Sequence, residues 1–257
     1  MKLAFLGAGN MAEAIFRGLP DGHEIVAADL SAERREVFEL LGATVCDDLA
    51  SHLEDVDVLV LSLKPQVAPE VIPKLAGIGH ALVVSIMAGV TSATIEGWLG
   101  KDRRVVRVMP NTPMLVGHGA CGIAPGTCAT ADDLATTRGL FESSCKVVEV
   151  RADQMDAVTA VSGSGPAYVF FLAEQMIAAG KAVGLSREDA DVLVRQTIAG
   201  AAAMLDEGND PEELRRQVTS PNGTTAAAIA VFDDADLPGI VRQAVTAAHD
   251  RGRELSG

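Results

Sequence analysis

The sequence predicts an α/β protein, with an N-terminal doubly wound sheet over residues 1–150 followed by an all-α domain over 151–257. Three observations predict this. Apolar, β-rich runs alternate with helical stretches through the first part, the pattern of a parallel sheet covered by helices on both faces. A glycine-rich turn, Gly7-Ala8-Gly9-Asn10-Met11-Ala12, joins the first such run to the first helix. Beyond Arg151 the chain becomes alanine-rich and no run reads as a strand.

The expected strands are Lys2–Leu6, Glu24–Ala28, 56–61, 81–86, 105–109 and 146–150, and the first helix is expected over 12–19. In the second half the longest helix is expected to open at Pro166, whose missing N–H is harmless in a first turn, and to end near Gly184. Its stretch Tyr168-Val169-Phe170-Phe171-Leu172-Ala173 is apolar on nearly every face, so it needs cover on every face. A partner subunit is the natural cover, and a single large core around this helix is the alternative. The next helix opens at Ser186 with Asp189 three residues on and runs to about Leu205, and Asp210-Pro211-Glu212-Glu213 starts another.

Composition narrows the function classes. At 48% hydrophobic and 22% charged residues the chain is not a disordered tail. A net charge of −14 argues against a binder of nucleic-acid phosphates, and seven Phe with one Tyr and one Trp provide no stacking platform. No apolar run reaches the roughly 18 residues of a membrane helix, and the N-terminal apolar run breaks at Gly7, too early for a signal-peptide core. Cys46, Cys121, Cys128 and Cys145 form no CxxC pair, so a reduced, cytoplasmic setting is expected, with Cys121 and Cys128 as small buried residues. The five histidines lack ligand spacing, so no metal site is expected. Ser164 sits in Ser-Gly-Ser-Gly-Pro, which is not a hydrolase nucleophile elbow. Asp47-Asp48, Asp132-Asp133 and Asp233-Asp234 read as solvated surface.

The glycine turn carries chemistry. In the order strand, Leu6-Gly7-Ala8-Gly9-Asn10-Met11, helix, the first glycine permits a tight turn, the second lets backbone approach a pyrophosphate, and the helix N-terminus offers free N–H groups to that anion. This makes the N-terminal part a Rossmann-like dinucleotide-binding domain. Asp29 ends the second strand, where a carboxylate holds the adenosine ribose hydroxyls of NADH and repels the 2′-phosphate of NADPH. Arg34 and Arg35 could instead face that phosphate or lie solvated, so NADPH or NADH stays open, with a slight lean to NADH.

Further motifs sit at expected strand ends: Leu61-Ser62-Leu63-Lys64-Pro65-Gln66, Ser85-Ile86-Met87-Ala88-Gly89 and Arg107-Val108-Met109-Pro110-Asn111-Thr112-Pro113. Ser162-Gly163-Ser164-Gly165-Pro166-Ala167-Tyr168 and Val218-Thr219-Ser220-Pro221-Asn222-Gly223-Thr224-Thr225 complete the set. Together they resemble the pyrroline-5-carboxylate reductase family over nearly the whole chain, with one departure: Asn222 stands where the family usually has a glycine. Asparagine tolerates left-handed torsions, so the loop is expected to keep its shape.

The resemblance implies that the segments Leu63-Lys64-Pro65 and Met87-Ala88-Gly89, with Asn111, lie along the cofactor. It also implies that Ser220, Asn222, Gly223, Thr224 and Thr225 hold a small-molecule substrate in a homodimer interface, and that dimers assemble further, commonly into decamers. Reduction of a cyclic imine needs hydride, a proton at nitrogen and an anchor for the carboxylate, and no metal. Backbone N–H groups at a helix start with nearby hydroxyls suit the carboxylate. Thr225 is the candidate to hydrogen-bond the ring nitrogen, as an orienting group more than an acid. Thr224 and Thr225 also read as a helix cap after a Pro-Asn-Gly turn. Lys64 is a conceivable proton donor, although a cofactor-side role fits its strand-end place better. A hydroxyacid-type dehydrogenase and a non-enzymatic NAD(P)-sensing protein are the rival readings.

Overall fold

The computed structural model describes residues 1–256. The chain forms two compact units: residues 1–164 together with the stretch from Ala247 on, and Gly165–Thr246. The first unit therefore runs past Arg151.

Eight strands form one sheet in the order β3-β2-β1-β4-β5-β6-β7-β8. They are β1 (Lys2–Leu6), β2 (Glu24–Ala28), β3 (Thr44–Cys46), β4 (Val58–Leu61), β5 (Leu82–Ser85), β6 (Val105–Pro110), β7 (Gly119–Pro125) and β8 (Cys145–Glu149). The first six run parallel, as expected of fully buried apolar runs. The all-parallel expectation fails at β7, which returns antiparallel to β6 through a 3₁₀ turn ending at Gly117. The sequence reading misses this strand because packing demands glycine in it. A Cβ on Gly119 would stand 2.5 Å from the Cys145 sulfur, and one on Gly122 would stand 2.8 Å from Val158. The result, Gly-Ala-Cys-Gly-Ile-Ala-Pro, has little β character. The short β3 is missed as well.

Two apolar clusters fill the two faces of the sheet. On one, β-strand residues pack with α1 (Asn10–Gly18), α2 (Ala32–Leu40) and α5 (Ala131–Phe141) around Phe5, Phe38 and Phe141. On the other they meet the helical segment 68–75, which begins with α3 (Ala68–Val71), and α4 (Ser92–Leu99). Caps fix the helix starts: the Ser31 hydroxyl accepts the Arg34 N–H, and Thr130 and Asp133 form a reciprocal capping box. Asp133 is thus not solvated surface; it is 3% exposed and paired with Arg104 at 2.7 Å. Cys121 is buried, whereas Cys128 is only partly so.

Past β8 every element among the described residues is helical. The chain passes through α6 (Met155–Val158) and a π-turn at Thr159–Gly163, in which Ser164 N–H donates to Thr159 C=O. The second unit holds α7 (Gly165–Ala182), α8 (Arg187–Asp206), α9 (Pro211–Gln217), α10 (Thr224–Asp234) and the start of α11 (Leu237–Ser256). Caps at Ser186 and Asp210 form as expected. The apolar helix α7 has 18 residues and is not the longest, since α8 and α11 have 20 each.

Candidate active site

The register aligns Leu6 with Ala28 and Leu61, Leu61 with Ser85, and Ser85 with Arg107, so β1, β2, β4 and β5 end level at one edge of the sheet and β6 runs on past them to Pro110. Open α/β sheets bind their ligands at that edge. The loops leaving it carry residues 6–11, Asp29, Leu63-Lys64-Pro65, Met87-Ala88-Gly89 and Asn111, so the fold brings these segments to one end of the first unit.

The glycine turn is built for close backbone approach. Gly7 has φ +98°, and a Cβ there would lie 2.8 Å from the Ser62 carbonyl oxygen, so both torsion and space require glycine. The Ser62 hydroxyl reaches back to the carbonyl oxygens of Leu6 (3.1 Å) and Gly7 (2.5 Å). Gly9 is the N-cap of α1 without a side-chain cap, and the space beside it is open. The first-turn N–H groups, which have no acceptor inside a helix, are left for an external anion. Free donors beside an open cradle that a Cβ would fill match a dinucleotide pyrophosphate.

Asp29 shapes this turn. One carboxylate oxygen accepts the Ala8 N–H at 2.8 Å and the other the Ser31 N–H at 2.8 Å. Arg34 is neither solvated nor free. Its Nε donates to the Ala8 carbonyl at 2.6 Å, and a terminal nitrogen donates to Glu13 at 2.8 Å. Arg34 first and Arg17 second hold the Glu13 carboxyl below the usual glutamate range. Arg35 reaches the Asp29 carbonyl. Both arginines thus brace the loop, a role that sequence reasoning did not see.

On β4 and β5 the exits differ in access. Lys64 is exposed and Pro65 partly buried, with the Val67 N–H closing a turn onto the Lys64 carbonyl at 3.0 Å. Met87 is buried, Ala88 exposed, and Gly89 adopts φ +72°. After β6, Asn111 is 9% exposed, and its amide is spent within the protein. Its Nδ2 donates to the Ser162 carbonyl and hydroxyl oxygens at 3.3 Å each, and its Oδ1 accepts the Ala120 N–H at 2.9 Å. The Met-Pro-Asn and Ser-Gly-Ser-Gly motifs are thereby tied together. At Gly163 a Cβ would stand 2.7 Å from Met109 Cε, so the Met109 side chain packs directly on this turn.

The second unit carries residues 220–225. The Gly223 N–H donates to the Ser220 carbonyl at 3.0 Å, and a Cβ at Gly223 would collide with the Ser220 hydroxyl. Asn222 takes φ +59°, so asparagine keeps the left-handed turn that a glycine would make. The N-cap of α10 is Gly223, without a side-chain cap, and Thr224 and Thr225 are its first two helical residues. Neither threonine is therefore a cap, which corrects that expectation. The arrangement combines a helix start with uncapped N–H groups and three neighbouring hydroxyls, chemistry that suits a carboxylate.

Comparison with known proteins gives the family. A family model described as pyrroline-5-carboxylate reductase dimerisation matches residues 152–255, and one described as NADP oxidoreductase, coenzyme F420-dependent, matches residues 2–89. The pyrroline-5-carboxylate reductase of Pseudomonas aeruginosa is 44% identical over 99% of this chain and 97% of its own. The chain belongs to the pyrroline-5-carboxylate reductase family. Among other members, the soybean (Glycine max) reductase is 40% identical over 99% of this chain and 96% of its own. The solved Coxiella burnetii reductase superposes with a TM-score of 0.93 at 36% identity, covering 99% and 98% of the two chains. The Plasmodium falciparum enzyme of this family, solved with NADP bound, matches with a TM-score of 0.88 at 28% identity over 100% and 98%. The dimerisation model accounts for the apolar helix of the second unit: α7 has no buried residue within one chain.

Proposed function

We infer that this chain reduces 1-pyrroline-5-carboxylate to L-proline with NADPH or NADH, the last step of proline biosynthesis. The observation that carries this is the Thr-Ser-Pro-Asn-Gly-Thr-Thr loop leading into α10, in a chain that follows the family from end to end and opens with an uncapped glycine turn. The dinucleotide supplies hydride when bound, and the chain's own residues do the rest. Residues 6–11 form the turn around the pyrophosphate, to which the uncapped start of α1 presents its N–H groups, and Asp29 stands at the adenosine ribose. Leu63-Lys64-Pro65, Met87-Ala88-Gly89 and Asn111 line the remainder. Ser220, Asn222, Gly223 and Thr224 hold the substrate carboxylate at the start of α10, and the Thr225 hydroxyl orients the ring nitrogen. Catalysis is then chiefly the positioning of two bound partners. The working form is a homodimer, open to larger assembly. The free cysteines support a cytoplasmic setting.

The deciding experiment supplies purified protein with pyrroline-5-carboxylate and either reduced dinucleotide and follows nicotinamide absorbance. Oxidation that depends on the imine and yields proline is expected. Turnover only with 2-oxo acids would favour a hydroxyacid-type dehydrogenase, and binding without any turnover would favour a sensor.

A further inference from the structure

The last turn of α11 sits on the strand end that the proposed function assigns to the cofactor. The residues from Ala247 on belong to the first unit. Two glycines mark the seat. Gly89 already has φ +72°, and a Cβ there would stand 3.1 Å from both the Cβ and the carbonyl oxygen of Leu255. Gly252 is buried between the exposed Arg251 and Arg253, and a Cβ there would stand 3.3 Å from the Asp156 carboxylate. Glycine is a poor helix former, and at this position a larger side chain would press on Asp156.

Behind the seat lies a charge that the reaction does not use. Arg107 is 6% exposed on β6, paired in register with Ser85, whose hydroxyl accepts the Met87 N–H at 3.4 Å. Burial pushes the Arg107 guanidinium below its ordinary range, and the Asp156 carboxylate opposes that shift. Asp156 therefore lies within electrostatic reach of the buried Arg107 and packs against Gly252 in the helix. Gly252 against Asp156 and Leu255 against Gly89 thus give the end of α11 two contacts with the sheet-bearing unit, the second of them on the Met87-Ala88-Gly89 segment itself.

We propose that the last turn of α11 is a positioning element: with Gly252 against Asp156 and Leu255 against Gly89, it fixes the Met87-Ala88-Gly89 segment for the dinucleotide, so that residues 252–255 set cofactor affinity. This rests on the cofactor reading above. A strand-end loop held from behind keeps its backbone groups in place before ligand arrives, and small misplacements there are costly.

The test uses Gly252→Leu, which wedges the turn off Asp156, and Leu255→Ala, which trims a half-exposed side chain and leaves the helix intact. Dissociation constants for NADPH and NADH are measured on the full chain without substrate, alongside amide hydrogen exchange of residues 86–90 in the free protein. In Gly252→Leu the dissociation constants should rise about tenfold, exchange at 86–90 should accelerate, and the KM for the imine at saturating cofactor should stay within about twofold. Leu255→Ala should move in the same direction by less. If the wild type binds and both variants remain within about twofold, with exchange unchanged, the positioning role is wrong while the cofactor reading stands. A wild type that binds neither dinucleotide overturns both. Should Gly252→Leu fail to fold, Leu255→Ala decides alone, by the same two readouts.

Discussion

At Thr225 the structure separates two roles that a sequence leaves superposed. A threonine just after a Pro-Asn-Gly turn reads equally as a cap and as a ligand contact, but Gly223 is the N-cap, and Thr225 stands second in α10 with no capping bond. Thr225→Ala should therefore spare the melting temperature, since the roughly 1 kcal/mol of a cap is not there to lose. It should lower kcat by about 10- to 1,000-fold, the range of a hydrogen bond lost at a reacting centre. A normal kcat/KM would remove the hydroxyl from the reaction and leave Ser220 and the backbone N–H groups to hold the substrate. Asp29 carries two roles at once. Its carboxylate holds the Ala8 and Ser31 N–H groups, and its charge disfavours a 2′-phosphate. Asp29→Ser should raise the ratio of kcat/KM for NADPH over NADH while lowering both values, because the Ala8 N–H loses its acceptor. An unchanged ratio would take Asp29 away from the ribose. The glycines of the turn were legible because their torsional need is local. The bracing by Arg34 was not, since it joins residues 26 positions apart. Arg107 did leave a trace, a lone charge inside the run Val-Val-Arg-Val-Met.

At the scale of elements, legibility follows how much of an element's reason lies within its own segment. The buried parallel strands announce themselves by β-branched runs and α8 and α9 by Ser186 and Asp210, whereas the caps at Ser31 and Thr130 were not legible, Asp133 reading as solvated surface. Strand β7 stays hidden because Gly119 and Gly122 answer to Cys145, Met114 and Val158, residues of other elements. The loop before α10 lies between these cases. Its left-handed residue, Asn222 at φ +59°, is readable as a permitted substitute for glycine. Asn222→Gly should leave stability within a few tenths of a kcal/mol and activity near wild type, whereas Asn222→Val should cost roughly 1–2 kcal/mol and raise the substrate KM, because a β-branched residue resists that torsion. Chemical denaturation with steady-state kinetics checks both. Equal stability of the glycine and valine variants would mean that the turn does not hold this shape in solution.

For the whole molecule, the division into a sheet-bearing part and a helical part is plain in composition, yet the reason for the second part lies outside any one chain. Phe170 and Phe171 are 61% and 62% exposed, and Val192, Leu193, Ile240 and Val241 all lie more than half open to water. So much apolar surface on α7, α8 and α11 is an interface and not a core, which rules out the single-core reading of α7. Its match to a dimerisation model agrees. Phe171→Glu should then act on association: a carboxylate placed in a desolvated contact without a partner costs about 3–5 kcal/mol, enough to dissociate a moderate dimer. Because Phe171 is exposed within its own chain, the first unit should keep its sheet and its dinucleotide binding while light scattering shows the mass fall to that of a monomer. Turnover should fall with the mass if residues 220–225 work only within the assembly. A wild type that itself runs as a monomer would sink the dimer reading, and a fully assembled Phe171→Glu would move the interface to another face of the helical unit.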